Sequence, residues 1–590
     1  MGCGTSSVKD TRSEQVLKAA LVIQNWYRGY STRLKARQRY ALTIFQSIEY
    51  ADEQGQLQLS NFFSFMLENY AHIHEKDPEI VARLFGSTIQ DYKDRQDYVA
   101  FVDVPNSYNG PRLQFPLTFT DIDLLVDAFK QQQILHARYV LEVLFETKKV
   151  LKQMPNFTHV KTSPSKEITI CGDLHGKLDD LLLIFYKNGL PSGSNSYIFN
   201  GDFVDRGRNS IEILMILFVS FLVYPNDLHL NRGNHEDFMM NLRYGFTKEI
   251  LCKYKIHGKQ ILQILEDVYT WLPIGTIIDN EILVIHGGIS ESTDLNLLHH
   301  VERHKMKSVL MPPTPLDGDP DTNLKKKKFN ATVLPREVKT STSLSEQLTK
   351  HEWEQVITIF SASNYYEEGS NRGAYIKLSF GMAPRFFQYQ VTRTTCLRPL
   401  YQRVNAIESS AIRILRERII AQKTDLIHAF QLQDRSKSGK LSMSQWAFSM
   451  ENILGLNLPW RSLSSRLVTT DTNGDIDYMS SFQDIHIQKP VKEAQSTLIE
   501  TLYRYRSDLQ IIFNVIDSDH SGLISVEEFR SMWKLFNSHY NIHIDDFQID
   551  ELAERMDLNK DGSIDFNEFL KAFHVVHKLD KLNKSGSGLL

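Results

Sequence analysis

The chain has 590 residues, which suggests roughly three to five folded units at about 100–200 residues each. Hydrophobic residues make up 42% and charged residues 23%, which excludes a wholly disordered chain, a collagen-like chain and a small disulfide scaffold. The formal net charge of −4 gives no bulk electrostatic reason to expect nucleic acid as a partner.

The cysteines and the longest apolar run favour a cytoplasmic protein. The four cysteines, Cys3, Cys171, Cys252 and Cys396, have neither disulfide nor metal-ligand spacing, which is typical of a reducing compartment. The first fifteen residues are polar, without the apolar core of a secretory signal. The apolar run over 213–224 is too short to span a bilayer and predicts a buried helix.

The first residues fit an acylation pattern. Gly2 would accept a myristoyl chain after removal of Met1, and Cys3 beside it could take a second, reversible chain. One myristoyl group gives only marginal membrane binding, so the neighbouring thiol matters. We therefore expect an acylated tail over 1–15 that brings the protein to a membrane; the alternative is a frayed polar end.

Residues 16–40 predict a basic amphipathic helix, a type that calmodulin-like proteins or anionic membranes bind. Within it lies a segment that resembles a complete IQ motif, which implies calmodulin as a partner. The alternatives are that the helix packs on its own protein or binds its own EF-hands. Residues 41–115 carry no recognisable motif and are expected to form a connecting region. The motif residues are Ile23, Gln24, Arg28, Gly29 and Arg33.

From 119 to 153 the pattern is helical, and then short β-rich runs each end in a polar cluster. Mixtures of Asp, His and Asn without thiolate suit Mn, Fe or Zn, and four such clusters at strand ends are hard to explain by packing. The clusters are Gly172-Asp-Leu-His-Gly176, Gly201-Asp-Phe-Val-Asp-Arg-Gly207, Gly233-Asn-His-Glu236 and His286-Gly-Gly288.

These clusters resemble the signature of metal-dependent phosphoprotein phosphatases acting on serine and threonine. The resemblance assigns 116–400 to a catalytic domain with a central β-sandwich flanked by helices, and implies phosphate ester hydrolysis by a hydroxide activated by two metals (Mn, or Fe/Zn). It implies that Asp202 bridges the metals, that Arg206 holds phosphate, and that His235, oriented by Asp205, protonates the leaving oxygen. The implied metal ligands are Asp173, His175, Asp202, Asn234 and His286.

After His286 the chain departs from the family pattern. The family's Arg-Gly segment, whose Arg binds phosphate, and its Arg-x-His motif, whose His is the last metal ligand, have no counterpart here. Residues 304–350 are polar and predict a flexible insert. The run Ser361-Ala-Ser-Asn-Tyr-Tyr366 then resembles a family loop near the site, with Tyr365 at the family tyrosine position. The candidates to replace this metal ligand are His299, His300, His304 and His351, although nothing in the sequence argues for any of them.

Two 12-residue loops near the C-terminus match the EF-hand template and predict a calcium-binding pair over 500–580. Another two loops, at 434–445 and 469–480, lack acidic ligands at key positions, so 410–485 is expected to keep the fold and to bind calcium weakly or not at all. The predicted calcium ligands are Asp517, Asp519, Ser521, Leu523 and Glu528, and Asp557, Asn559, Asp561, Ser563 and Glu568.

The order of these units resembles the protein phosphatases with EF-hands, the group related to the fly retinal degeneration C phosphatase. The resemblance implies a multidomain fold, an α/β metallophosphatase with an all-α EF-hand module and an N-terminal IQ helix. It implies dephosphorylation of phosphoproteins in sensory cells under calcium and calmodulin control. The alternative is a catalytically impaired calcium-sensing binding protein, because the Arg-x-His block is missing. A nucleic-acid phosphodiesterase finds little support, since no basic groove with aromatics stands out.

Overall fold

The computed structural model describes most of the chain outside the first residues, the 69–98 and 311–355 segments, a few short stretches and parts of the C-terminal third. The described residues are 7–68, 99, 101–289, 293–310, 356–392, 400–483, 485–487, 496–516, 523–540, 547–550, 553, 562–565 and 575–577. Their α-helices are α1 Ser7–Glu68, α2 Phe119–Lys130, α3 Ala137–Leu151, α4 Leu178–Asn188, α5 Ser210–Val223, α6 Phe238–Tyr244, α7 Phe246–Tyr254, α8 Gly258–Trp271, α9 Leu295–His300, α10 Leu400–Ile420, α11 Lys423–Gln433, α12 Met443–Leu454, α13 Trp460–Leu467, α14 Ser496–Arg504, α15 Arg506–Ile516 and α16 Val526–Tyr540.

The strands form a two-layered centre and several short EF-hand ladders. The larger sheet has the order β4-β3-β2-β7-β8 and the smaller one β1-β5-β6. The strands are β1 Phe157–Val160, β2 Glu167–Cys171, β3 Asn195–Phe199, β4 Leu228–Leu230, β5 Gly275–Ile278, β6 Ile282–Ile285, β7 Gly373–Leu378, β8 Arg385–Tyr389, β9 Lys440–Leu441, β10 Thr469–Thr470, β11 Ile476–Asp477, β12 Ile485–Ile487, β13 Leu523–Ser525, β14 Ser563–Asp565 and β15 Val575–His577.

The alternation of side chains along the strands separates two cores. Ile168, Ile170 and Ile198 pack with Ile278 and Val284 of the smaller sheet. Their neighbours along the same strands point to the other face and pack against α2, α3, α5 and α8. The predicted β-sandwich flanked by helices is therefore confirmed.

Helix α5 shows why an apolar run need not mean a membrane span. Nearly every residue of this helix is buried, so it is enclosed on all sides by the catalytic domain. Among the described residues no helix is long and apolar enough to cross a membrane. The prediction of a buried core helix over 213–224 agrees with this placement.

Helix α1 is much longer than the helix predicted over 16–40. Its apolar residues from Val16 to Tyr27 are exposed, with Ile23 65% and Trp26 62% accessible. From Leu34 onwards the apolar face of the helix is buried instead, and it packs along α10. The two halves of one helix therefore have different environments, and only the second half packs on its own protein.

The C-terminal third consists of EF-hand-like units. Strand β9 pairs with β11 in the first pair, where Leu441 lies opposite Ile476. Strand β13 pairs with β14 in the second pair, where Ile524 lies opposite Ile564. These short ladders join the loops of each pair, as the helix-loop-helix spacing of the sequence predicts.

Candidate active site

Three neighbouring parallel strands carry the predicted metal ligands. Strands β2, β3 and β4 pair in parallel, so their carboxyl ends meet at one edge of the sheet. The loop after β2 holds Asp173 and His175, the loop after β3 holds Asp202, and the loop after β4 holds Asn234. The smaller sheet adds His286 at the end of β6.

The side chains of these loops converge on one point. Ligand atoms of Asp173, Asp202 and His286 lie within 4.8 Å of one another, and those of His175, Asp202 and His235 do so too. His286 Nε2 lies 3.3 Å from the Asp202 carboxylate and 2.9 Å from Asn234 Oδ1. His175 Nε2 lies 3.8 Å from Asp202. Asp202 is therefore shared by both groups, and the donor set suits divalent cations.

Backbone carbonyls set the orientation of both imidazoles. His175 Nδ1 lies 3.1 Å from the carbonyl oxygen of Val204, and His286 Nδ1 lies 2.7 Å from that of Asn200. Because each carbonyl can only accept, Nδ1 donates and Nε2 keeps its lone pair for a metal. The residues present therefore fit a metal site.

Close packing of two loops leaves room only for glycine at position 233. A Cβ there would lie 2.2 Å from an Asp202 oxygen. The Glu236 carboxylate accepts the backbone N–H groups of Asp202, Phe203 and Gly233 at 2.7–2.9 Å. Burial, and then the charge of Asp202, raise the pKa of Glu236 to about 7. This carboxylate holds the two loops together.

The predicted pair of His235 and Asp205 is formed. His235 Nδ1 lies 2.7 Å from Asp205 Oδ2, and the same carboxylate accepts from the Asn241 amide and the Phe246 backbone N–H. Burial lowers the pKa of His235, but the carboxylates of Asp202 and Asp205 outweigh it and raise the pKa overall. The imidazole is thus buried and oriented beside the metal ligands.

Arg206 lies between two aromatic rings and against a carboxylate from α1. Its guanidinium carbon is 4.5 Å from the centre of the Tyr244 ring and 5.3 Å from that of Tyr365. Its Nη2 lies 3.0 Å from an oxygen of Glu49. Burial lowers the pKa of Arg206, but Tyr365, Glu49 and Tyr244 raise it overall, so the group stays charged.

The run from Ser361 to Tyr366 reaches the same edge. Ser361 Oγ accepts the Gly172 N–H at 2.8 Å, and the Tyr365 ring centre lies 5.2 Å from that of His175. Ser363, where the family has proline, donates its N–H and hydroxyl to Asp180. The loop is thereby tied to the start of α4.

None of the substitute ligands considered above that the structure describes reaches the metal cluster. The His299 ring packs on Phe157, and the His304 ring stacks on Trp271. His300 Nδ1 bonds to the carbonyl of Asn296 on its own helix. His351 lies outside the described residues.

Several residues of the site escaped the sequence reasoning. Glu236 is the last residue of the cluster Gly233-Asn-His-Glu236 but was given no role, and Asn241 lies five residues after it, so their position was a usable signal. Tyr244 and Glu49 belong to no motif. Glu49 accepts a hydrogen bond from the Tyr365 hydroxyl, although the two residues are 316 positions apart in the sequence. Tertiary structure alone brings Glu49 to the site.

The remaining predicted residues are spread over the molecule. The residues of the IQ-like segment lie on the first half of α1, away from the metal ligands in the sequence. Glu528 and Ser525 cap α16 reciprocally, while Leu523 and Ser563 lie on the β13–β14 ladder. Gly2, Cys3, Asp517, Asp519, Ser521, Asp557, Asn559, Asp561 and Glu568 lie outside the described residues.

Comparison with known protein families defines the class of each unit. Residues 166–335 match the model of the calcineurin-like phosphoesterases, and residues 506–574 match an EF-hand domain pair. Residues 85–159 match the PPP5 TPR repeat region. The chain therefore combines a metallophosphatase domain, which implies divalent metals, with EF-hands, which imply calcium.

Relatives extend over nearly the whole chain. A human serine/threonine-protein phosphatase with EF-hands 1 is 68% identical over 99% of both chains. The fly serine/threonine-protein phosphatase rdgC is 36% identical over 97% of this chain and 92% of its own. A Saccharomyces cerevisiae protein serine/threonine phosphatase structure covers 47% of this chain and 96% of its own, at 25% identity and a TM-score of 0.36.

The chain belongs to the family of serine/threonine-protein phosphatases with EF-hands. It is a metal-dependent protein phosphatase whose substrates are phosphoproteins. The alignment to the human relative extends over 647 positions, more than the 590 residues of this chain. The relative thus has residues without a counterpart here, as expected if a block is missing.

Proposed function

We propose that this chain hydrolyses phosphoserine and phosphothreonine in proteins at a two-metal site, under the control of calcium and calmodulin. The convergence of Asp173, His175, Asp202, Asn234 and His286 at one sheet edge carries the proposal. Two divalent cations, Mn or Fe/Zn, when bound there, would lower the pKa of a water and polarise the phosphoryl group.

The chain's own side chains supply the rest of the chemistry. Arg206 presents a planar guanidinium, which suits bidentate binding of phosphate oxygens. His235, held by Asp205 and beside the metal ligands, would donate its Nε2 proton to the leaving serine or threonine oxygen. The Tyr365 ring packs 5.2 Å from the ring of His175, and its hydroxyl could donate to the substrate phosphate.

Hydrolysis of p-nitrophenyl phosphate by the purified chain with Mn²⁺ tests this proposal, with Asp202→Asn as the blank. Turnover above the blank would support a working site without the family's Arg-x-His block. A folded chain without turnover would instead favour the calcium-sensing binding protein, because none of the described histidines outside the motifs replaces the lost ligand.

The exposed first half of α1 supports calmodulin as a partner. Its residues from Val16 to Tyr27 present apolar side chains to solvent on a basic helix. Such a face suits the apolar groove of a calmodulin-like protein, whose acidic rim would contact Arg28 and Arg33. The IQ-like residues are thus available to a separate protein, whereas the chain's own EF-hands contact the second half of the helix.

Titration of the full chain with fluorescent calmodulin, with and without calcium, tests this partner. Ile23→Asp should weaken binding at least about tenfold, because a charge would enter the apolar groove. Tyr186→Ser, which changes an exposed aromatic residue on α4, is the control. Equal binding of all three chains would refute this site.

Membrane association through Gly2 and Cys3 completes the proposal. The support is the acylation pattern alone, and the expected location is the cytoplasmic side of a membrane. Gly2→Ala should shift the protein from the membrane to the soluble fraction of fractionated cells. An unchanged distribution would remove acylation from the proposal.

A further inference from the structure

A carboxylate of the protein itself lies against Arg206 beside the metal-ligand cluster. Oε1 of Glu49 on α1 lies 3.0 Å from Arg206 Nη2 and accepts the Tyr365 hydroxyl at 3.0 Å. Its other oxygen accepts the Tyr366 hydroxyl. Both oxygens are therefore bound, and one guanidinium and two phenols hold the group.

The position of this carboxylate is the position expected for a substrate phosphate. Arg206 is the guanidinium proposed to bind phosphate, and the Tyr365 ring packs 5.2 Å from the ring of the metal-ligand candidate His175. A carboxylate resembles a phosphate in charge and in its paired oxygens. The two anions compete for the N–H donors of the same guanidinium, and their like charges repel each other.

We propose that Glu49 acts as a built-in competitor of phosphate, and that α1 is an autoinhibitory helix held in place by both EF-hand pairs. The proposal rests on the proposed function, because it assigns phosphate binding to Arg206. It concerns the regulation of that site by a residue that lies outside every motif in the sequence.

The turns of α1 before Glu49 are anchored on α10, which shares its core with the first EF-hand pair, and on the loop that carries Tyr366. Arg37 bonds to Asn405 at 2.9 Å and pairs with Glu408, both on α10. Phe45 is buried and stacks on Tyr366 with ring centres 4.6 Å apart. The apolar contacts on this side are made by Ala41, Ile44, Phe45 and Ile48 with Ile407, Ala411 and Leu415.

The turns after Glu49 are anchored on the calcium-binding pair and on the catalytic domain. Asp52 pairs with Arg418 on α10, and the Gln56 amide donates to the Tyr244 hydroxyl at 2.7 Å. Phe62 is buried and packs edge-on against Phe536 of α16, with ring centres 6.1 Å apart. Helix α16 follows the first calcium loop directly, so its orientation affects the end of α1.

The same EF-hand pair also contacts the helix that follows the catalytic loop. Arg243 on α6 bonds to Asp508 on α15 at 2.9 Å, and both side chains are nearly buried. Helices α15 and α16 flank the loop that contains Asp517 and Glu528. Calcium binding changes the angle between such helices in sensor EF-hands. We infer that this change displaces α1 and withdraws Glu49 from Arg206.

The experiment measures binding of inorganic phosphate to the Mn²⁺-loaded full chain by calorimetry, together with the KM and kcat for p-nitrophenyl phosphate. The variants are Glu49→Gln and Glu49→Asp, and the control is Glu146→Gln, which changes an exposed carboxylate of α3 paired with Lys149. Thermal unfolding of each variant confirms that it is folded.

Removal of the charge should tighten phosphate binding and lower KM by the same factor, at least about fivefold, while kcat changes little. The reason is that a built-in competitor raises the apparent dissociation constant by the reciprocal of the fraction of chains that it leaves unblocked. Glu49→Asp should give an intermediate value, because its carboxylate is one methylene shorter. Calcium should lower KM in the wild type and have little effect in Glu49→Gln.

The outcomes separate this inference from the proposed function. Turnover with equal phosphate binding in the wild type and Glu49→Gln would overturn the inference and leave the function standing. Tighter phosphate binding by Glu49→Gln without turnover in either chain would support the inference and overturn the function. Failure of every chain to bind phosphate would overturn both.

Discussion

The two halves of the metal site differ in how the fold supports them. The Asp173 half, which comprises Asp173 and His175, follows β2, a strand with neighbours on both sides. The His286 half, which comprises Asn234 and His286, follows β4 and β6, which are the edge strands of their sheets. The two halves share Asp202. The loop after β2 is supported by strands on both sides. The loops after β4 and β6 have a neighbouring strand on one side only, so their support depends more on the segments that follow them in the chain.

The sequence predicts a departure from the family pattern next to the His286 half. Ile282 at the start of β6 is 40% exposed, and the described residues after His286, 287–289 and 293–310, bring no further ligand to the metal cluster. The Asp173 half supplies one carboxylate and one imidazole of its own, while the His286 half supplies one neutral amide and one imidazole. The difference predicts unequal affinities for metal.

The largest effect is expected at the residue that both halves share. Asp202→Asn removes the common carboxylate and should lower kcat by more than about 10²-fold, since even loss of groups that only support metal ligands costs 10–100-fold. Steady-state hydrolysis of p-nitrophenyl phosphate measures it. Asp127→Asn, which changes an exposed carboxylate on α2, should retain full activity. Chelation of the metal followed by Mn²⁺ addition should abolish and restore the wild-type rate.

A smaller effect is expected at the carboxylate that joins the loops. In the wild type three backbone N–H groups donate to the Glu236 carboxylate. Glu236→Gln would place an amide N–H against these donors. We expect about a 10–100-fold loss of Mn²⁺ affinity, because this residue orients ligands without touching the metal. Equilibrium dialysis measures the affinity, and unchanged Mn²⁺ binding would contradict this role for Glu236.

Metal titration should distinguish the halves directly. We expect two classes of Mn²⁺ site that differ at least about tenfold in dissociation constant, because a carboxylate binds a hard cation more strongly than a neutral amide does. His175→Asn should remove the tight class and His286→Asn the weak class. A single class of site in the wild type would argue that the missing block does not weaken the His286 half.

The smallest effect is a pH dependence near the Asp173 half. Burial raises the pKa of Asp180 to about 7, although the Ser363 hydrogen bonds oppose it. The folded chain then binds one more proton than the unfolded chain between about pH 4 and 7, so stability falls as pH rises, by about 1.4 kcal/mol per unit. Urea unfolding across this range measures the slope, and Asp180→Asn should flatten it. An identical slope in the wild type and in Asp180→Asn would mean that a group other than Asp180 binds the extra proton.

The catalytic loops could be predicted from the sequence because each one follows directly on a short buried strand. Asp173 and His175 are two to four residues beyond β2, so the local pattern places them at a sheet edge. The EF-hand loops could be recognised for a similar reason, since their ligands lie in one short segment. The extent of α1 could not be predicted, because residues 41–63 carry no motif and their apolar face requires α10 to be buried.

The amino-acid sequence by itself determined the family, the strand-end ligands, the paired EF-hands and the apolar helix enclosed in the catalytic domain. Tertiary structure alone decided that α1 runs between the EF-hands and the catalytic domain and places Glu49 on Arg206. The reason is physical: ligands on strand-end loops are set by local backbone geometry, whereas an ion pair between distant segments depends on how a helix packs against α10. Local patterns show that a helix has an apolar face, and the packing decides which polar residue beside that face reaches the active site.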